Sequence, residues 1–165
     1  MAFEYFKDSF ALSTSDPYKA GEQVYISYGP QGNDSLLQYY GFTEADNPHD
    51  TYALAAALPG AAAAVTLTLT AKGSVAPEAL AAARAAMPGA DEAAVAAAVL
   101  AACEAELAAL PTTLADDERL LATPHLMSGR GRMAAAFRAE KKRLLQRAVA
   151  RAKKRAGKLS AAGAA

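Results

Sequence analysis

Alanine is the feature of this sequence that most limits how the chain can fold. About 45 of the 165 residues are alanine. Alanine favours helix but buries little area per residue, so the hydrophobic core must come from a thin set of larger apolar side chains. We therefore expect modest stability for the chain alone.

Alternation of apolar and polar residues predicts β-strands in the first part of the chain. The predicted strands are at residues 3–6, 9–14, 24–28, 52–58 and 65–70. A short helical stretch at residues 35–40 interrupts them, with Asn33 or Asp34 placed to cap it.

From Pro77 the apolar period becomes helical. The helix start signals are at Pro77, Asp91, Thr113 and about Arg132, and the chain is expected to fray after Gly157. Cys103 falls on an apolar stripe and is predicted to be buried and inert. The acidic triplet at residues 116–118 is interpreted as favourable charge at a helix start, with Thr113 and Asp116 forming a capping box. The sequence thus predicts an α+β fold that is β-rich up to about residue 52.

The charges are distributed very unevenly, although the net charge is zero. Residues 1–129 carry 16 acidic and 5 basic side chains, whereas residues 130–165 carry 12 basic and one acidic. Three interpretations of this basic segment stay open: a solvated helix face, a docking surface for an acidic protein, or a nucleic-acid interface. Nucleic acid is the least favoured, because the one aromatic residue there, Phe137, lies on the apolar stripe.

Neither a metal site nor a membrane span is predicted. The chain has one cysteine, and its two histidines, His49 and His125, stand far apart in loops that contain proline. It has no run of 18 strongly apolar residues. The sequence gives no indication of oligomeric state.

The segment at residues 21–42 is the most informative for function. An apolar and aromatic stretch runs into a turn containing Gly29, Pro30 and Gly32, and a second aromatic cluster follows. We expect Tyr28 and Tyr40 to be brought toward each other across this turn, with Phe42 close by. Aromatic walls of this kind suit a narrow slot for a long aliphatic side chain.

Two blocks of sequence carry a family resemblance. They are residues 21–42 with Asn47-Pro48-His49-Asp50 and Tyr52, and residues 111–118 with Phe137-Arg138 and residues 141–145. The chain resembles SET-domain protein-lysine methyltransferases of the Rubisco large-subunit methyltransferase type. The resemblance implies the C-terminal portion of a SET domain at 1–52, a helical substrate-binding domain at 53–158 and a disordered tail at 159–165.

The resemblance also implies an activity and its residues. The family transfers a methyl group from S-adenosylmethionine to a lysine of a protein substrate. Tyr28 matches the catalytic tyrosine and is also expected to contact the substrate. Tyr40 matches a residue that lines the lysine channel, and Phe3 lies near a substrate-contacting position. Tyr40, Gly41 and Phe42 match the stretch along the cofactor.

By the same resemblance, an upstream part of the SET domain and an Asn-His pair, which supply most of the cofactor pocket, are missing from these 165 residues. We therefore expect a C-terminal portion of an enzyme that is inactive alone. Two alternatives remain: a non-catalytic protein-binding module that uses the helical domain, and a basic-helix nucleic-acid binder. The resemblance implies a chloroplast or cytoplasmic location.

Overall fold

The computed structural model describes residues 2–4, 9–11, 14, 16–123, 125 and 127–163. Its strands are β1 (Ala2–Glu4), β2 (Ser9–Ala11), β3 (Thr51–Ala56) and β4 (Val65–Thr70). Its α-helices are α1 (Asn33–Ser35), α2 (Pro77–Ala86), α3 (Glu92–Ala109), α4 (Leu114–Ala122) and α5 (Gly129–Gly163). A π-helical turn, Leu36–Tyr40, continues directly from α1. The predicted α+β class is confirmed.

The two predicted N-terminal strands are confirmed over Ala2–Glu4 and Ser9–Ala11, and residues 5, 6, 12 and 13 of the predicted strands lie outside the described part of the chain. Strands β1 and β2 pair antiparallel, with Phe3 opposite Phe10. Lys7 and Asp8, which connect the two predicted strands and are expected to form a turn, also lie outside the described residues.

The strand predicted at residues 24–28 does not form. This stretch has no regular secondary structure, and Val24, Tyr25 and Ile26 are more than half exposed. Its residues have strand propensity, but a strand is stable only beside a pairing partner, and no described strand pairs with it. The prediction was wrong because it relied on propensity alone.

A second hairpin forms the sheet of the helical part. Strands β3 and β4 pair antiparallel, with Leu54 opposite Leu67 and Tyr52 opposite Leu69. Leu54, Leu67 and Leu69 are buried while the intervening threonines face outward, as strict alternation predicts. Both strand predictions are confirmed.

Helices α2, α3 and α4 begin where their start signals predicted. Pro77 stands in the first turn of α2. The carboxylate of Asp91 accepts a hydrogen bond from the Ala94 N–H at 2.7 Å and caps α3. Thr113 and Asp116 form the predicted capping box of α4.

Helix α5 is longer than the sequence suggested. It begins at Gly129 and continues to Gly163, past the predicted fraying point at Gly157 and into the tail that was expected to be disordered from 159. Its alanine and basic residues all have good helix propensity, which explains the extension.

Helices α2, α3 and α5 and the β3–β4 sheet enclose one buried core. Its larger members are Leu54, Leu58, Leu67, Leu69, Met87, Val95, Val99, Leu144 and Leu145. Cys103 is also buried there, as predicted, and burial raises the pKa of its thiol to about 11, with further effects from Glu104 and Glu106.

Candidate functional site

Three aromatic rings lie together at the place where the sequence predicts that Tyr28 and Tyr40 converge. The ring centroids of Tyr28 and Tyr40 are 4.3 Å apart, those of Tyr28 and Phe42 are 5.5 Å apart, and those of Tyr40 and Phe42 are 6.5 Å apart. Their planes are tilted by 46° to 54°, the kind of offset geometry that aromatic rings prefer. We call these residues the aromatic cluster.

The aromatic cluster is open to solvent on one side. Tyr28 is 41% exposed, Tyr40 is 48% exposed and Phe42 is 37% exposed. Three large rings at this exposure form an uncovered apolar surface rather than part of the core. The exposed side of the aromatic cluster is therefore accessible for contact with another molecule or segment.

The π-helical turn and Gly41 place Tyr40 and Phe42 in the cluster. Leu36 is buried and anchors the turn, while Tyr39 points to solvent. Gly41 has φ +74°, a left-handed conformation that ends the turn, and its N–H donates to the carbonyls of Leu36 and Leu37. The chain thereby reverses immediately after Tyr40 and brings Phe42 back toward Tyr28.

Asn33 closes the segment that carries Tyr40 and Phe42. Its side-chain oxygen accepts a hydrogen bond from the Glu44 N–H at 2.9 Å, and its side-chain amide donates to the Glu44 carbonyl at 3.0 Å. The helix cap predicted for Asn33 or Asp34 was wrong, because Gly32 is the capping residue and no side chain caps it. The side chain of Asn33 instead bridges both ends of the loop from 33 to 44.

Asp50 and Lys141 attach this loop to the helical part. Asp50 accepts hydrogen bonds from the Asn33 N–H at 3.0 Å and the Asn33 side-chain amide at 3.1 Å. The ammonium group of Lys141, on α5, lies 2.8 Å from the same carboxylate. Asn33, Asp50 and Lys141 are all buried. We call these three residues the buried polar network.

Phe3 stays a prediction as a substrate contact. Its backbone is in β1, but its side chain lies outside the part of the chain that the structure describes.

The buried polar network and a second buried cluster of charge, around Asp117, were not anticipated from the sequence. Asp117 has no solvent exposure and accepts hydrogen bonds from Arg138 at 2.6 Å and Lys142 at 2.5 Å. Burial alone would raise the pKa of Asp117, but these hydrogen bonds outweigh it and hold the pKa below its usual value. The interpretation of the whole acidic triplet as helix-start charge was wrong for Asp117, which joins α4 to α5.

The interpretation of the basic segment as a solvated helix face was wrong for two of its lysines. Lys141 and Lys142 are both buried, each within an ion-paired network. A signal for Lys141 was present, since it stands four residues after Phe137 and seven before Ala148, on the apolar stripe itself. A charged residue on such a stripe requires a buried partner.

Among the described residues, no three His, Cys, Asp or Glu side chains are grouped closely enough to hold a metal ion. Over the same residues, no single helix has the length and hydrophobicity to cross a membrane. Helices α3 and α4, bent by 44° at their junction, pass that test only as a pair.

A family model for the Rubisco LSMT substrate-binding domain matches residues 25–145, well over half of the chain. The chain belongs to this family. The match covers the loop that carries Tyr40 and Phe42 as well as helices α2 to α4, and the resemblance seen in the sequence is confirmed.

Two curated relatives are lysine methyltransferase or SET-domain proteins. The chain is 42% identical over 50 residues to a ribosomal lysine N-methyltransferase of Schizosaccharomyces pombe. This matched segment is 30% of the chain and 9% of that protein. The chain is also 38% identical over 48 residues to SET domain-containing protein 4 of Homo sapiens. That matched segment is 29% of the chain and 11% of the human protein. The matched segment is thus about a tenth of either relative's length. Over these short segments the chain is similar to a lysine methyltransferase and to a SET-domain protein.

Proposed function

We propose that this chain is part of an S-adenosylmethionine-dependent protein-lysine N-methyltransferase, and that the aromatic cluster forms one wall of its lysine channel. The observation that carries this proposal is the contact of Tyr28 with Tyr40, at 4.3 Å between ring centroids, on an open surface. The substrate is a protein that presents a lysine, in agreement with the substrate-binding family to which the chain belongs.

The aromatic rings suit both the substrate and the cofactor. Their faces pack along the methylenes of a lysine stem and exclude water from the amine, and they tolerate a nearby cation. When bound, S-adenosylmethionine supplies an electrophilic methyl group on a cationic sulfur. We assign Tyr40, Gly41 and Phe42 to the stretch beside this cofactor, which fits the exposed ring faces and the absence of any side chain at Gly41.

Tyr28 is the residue to which we assign the catalytic role. Its phenol is a hydrogen-bond donor and acceptor, so it can orient the lysine nitrogen toward the methyl group. The amine must be neutral to attack, and a dry slot favours the neutral form over the ammonium form. Catalysis then rests on positioning, which is a large effect when reacting atoms are held in line.

Tyr40 and Tyr39 allow a matched test of the channel. They are adjacent in the π-helical turn, but Tyr40 is in the aromatic cluster while Tyr39 is 71% exposed and points away. In an enzyme that carries this chain with a complete SET domain, Tyr40→Ala is expected to reduce methyl transfer to a protein lysine strongly, and Tyr39→Ala to leave it within about twofold. Equal effects of the two substitutions would contradict the proposed channel.

We also propose that the 165-residue chain alone neither binds S-adenosylmethionine tightly nor methylates lysine. The support is the exposed apolar stretch at residues 24–26 beside a cluster that forms only one wall. Titration calorimetry of the isolated chain with S-adenosylmethionine is the test, and low-micromolar binding would overturn this part of the proposal. A chloroplast or cytoplasmic location is likewise a proposal.

A non-catalytic protein-binding module is the second candidate, and one observation favours it. The core of the helical part is enclosed by its own helices and the β3–β4 sheet. Binding of a protein substrate that survives Tyr28→Phe, with no methyl transfer by the complete enzyme, would support this candidate over the first.

Nucleic-acid binding is disfavoured by the use of the basic residues. Among the described residues, seven of the twelve basic side chains after residue 129 form ion pairs with carboxylates. They are Arg138, Lys141, Lys142, Arg143, Arg147, Lys153 and Arg155. Charges already paired within the protein contribute less to phosphate binding.

A further inference from the structure

We propose that Lys141 is a positioning residue for the aromatic cluster. It lies on α5, in the helical part, and acts through Asp50 and Asn33 on the segment that carries Tyr40 and Phe42. Its consequence for methyl transfer rests on the proposed function, whereas its effect on the geometry of the cluster does not.

All three donors of the Lys141 ammonium group are used, and each acceptor comes from the N-terminal side of the molecule. The group donates to the carboxylate of Asp34, to that of Asp50 at 2.8 Å and to the carbonyl of Thr51 at 2.7 Å. Its stem passes the ring of Phe137, with the ammonium nitrogen 5.1 Å from the ring centroid. One side chain of α5 therefore joins α1 to the start of β3.

Asp50 transmits this attachment to the loop. One of its oxygens accepts from Lys141, from the Asn33 N–H and from the Thr51 N–H at 3.0 Å, while the other accepts from the Asn33 side-chain amide. Asn33 in turn closes the loop through both hydrogen bonds to Glu44. Every link that runs from Lys141 through Asp50 and Asn33 to Glu44 is thus a direct hydrogen bond of ordinary length.

The far side of the loop is held in the same way. The side-chain amide of Asn47 donates to the Gln31 carbonyl at 2.8 Å, three residues after Tyr28. The Asp46 N–H donates to Glu140, the neighbour of Lys141 on α5, at 3.2 Å. Two neighbouring residues of α5, Glu140 and Lys141, therefore hold the chain on both sides of the loop.

Removal of the Lys141 charge leaves two carboxylates, Asp34 and Asp50, without the cation that neutralises them. The carboxylate of Asp50 is buried, so water compensates little for the loss of its counter-charge. Asn33 then loses a fixed partner for its backbone and side chain, and the π-helical turn is released from the helical part.

Lys142 provides a matched control in the next position. It is equally buried on the same helix, but its ammonium group donates to Thr112 at 2.5 Å, to the Thr113 carbonyl at 3.1 Å and to Asp117. None of these acceptors contacts the buried polar network. Lys141→Met and Lys142→Met therefore remove the same group at the same depth, with different expected consequences for the aromatic cluster.

Amide hydrogen exchange of the 165-residue chain is the first test. The reporting amides are those of Leu36, Gly41 and Phe42, which donate to the carbonyls of Gly32, Leu37 and Leu36. After correction for global stability from urea unfolding, we expect Lys141→Met to reduce their protection about tenfold and Lys142→Met to leave it unchanged. Equal changes in both variants, or no change in Lys141→Met, would overturn the proposal.

A milder substitution keeps the test valid if Lys141→Met does not fold. The Asp34 side chain is 65% exposed, so Asp34→Asn removes one acceptor of Lys141 without opening the core. We expect a smaller loss of protection in the same three amides, and unchanged protection there would overturn the proposal.

Kinetics of the complete enzyme separate this inference from the proposed function. Lys141→Met is expected to lower kcat at least about tenfold with KM for the protein substrate kept within about twofold, and Lys141→Arg to recover part of kcat. Methyl transfer that is unaffected by Lys141→Met contradicts the positioning role. If the wild-type enzyme transfers no methyl group but the exchange result holds, the proposed function fails and the positioning of the cluster stands.

Discussion

The carboxylate of Asp117 and the ammonium group of Lys142 lie 2.5 Å apart, and both side chains are almost entirely removed from solvent. Arg138 donates to the same carboxylate, so two helices are joined by three charged groups. Such an arrangement is costly to desolvate, but it is even more costly to leave one member alone.

We predict that Lys142→Met lowers the free energy of unfolding by about 3–5 kcal/mol, because it leaves the buried carboxylate with Arg138 alone. Urea unfolding monitored by circular dichroism measures this. Glu118→Gln is the control, since it removes an exposed ion pair with Arg143 and is expected to cost less than about 1 kcal/mol. Similar losses in the two variants would contradict the account of the Asp117 cluster.

The free energy of unfolding is predicted to decrease as the pH is lowered from about 4 to about 2. Hydrogen bonds from the Thr113 side chain and backbone and from Arg119 lower the pKa of Asp116 from 3.8 to about 2. A lowered folded-state pKa means that the unfolded chain binds more protons in this window, so the stabilisation is present above pH 4 and is lost on acidification.

Asp116→Asn tests the assignment of that pH dependence. The difference in unfolding free energy between the wild type and this variant is expected to shrink as the pH falls from 4 to 2, and to be smaller in high salt because the group is exposed. A difference that stays constant over this range would be inconsistent with the capping box as its source.

Gly73 is predicted to be the least replaceable of the turn glycines. It has φ +74°, and a Cβ atom there would lie 2.6 Å from the carbonyl carbon of Arg147 on α5. Gly89 has φ +81° but no atom within 4 Å of such a Cβ. Thermal or urea unfolding should therefore show a loss of about 1–2 kcal/mol for Gly89→Ala, and a loss of at least about 3 kcal/mol for Gly73→Ala. Equal losses would mean that the close approach to α5 is unimportant.

Local signals were sufficient for most of the secondary structure. Pro77, Asp91 and the Thr113–Asp116 pair each mark a helix start through contacts within one turn, and the β4 pattern is a strict alternation. The strand predicted at residues 24–28 was wrong because a strand needs a pairing partner from elsewhere in the chain, and local propensity does not reveal whether one exists. The predicted end of α5 near Gly157 was wrong because a single glycine among alanine and basic residues is a weak stop signal, and the helix continues to Gly163.

The aromatic cluster was predictable in part. The turn glycines and the spacing of Tyr28, Tyr40 and Phe42 predicted that the rings converge, and the structure brings them together. The buried polar network was not predicted, because Asp50 and Lys141 are 91 residues apart and meet only through tertiary packing. The catalytic and binding roles of Tyr28, Tyr40, Gly41 and Phe42 stay predictions.

The most direct measurement compares Tyr28→Phe with Tyr25→Phe in an enzyme that carries this chain with a complete SET domain. Tyr25 is in the same exposed stretch, at 74% exposure, and serves as the control. The rate of methyl transfer from S-adenosylmethionine to a protein lysine is predicted to fall at least about 100-fold in Tyr28→Phe and to stay near the wild-type rate in Tyr25→Phe. Undiminished methyl transfer by a folded Tyr28→Phe enzyme would contradict the catalytic role of the aromatic cluster.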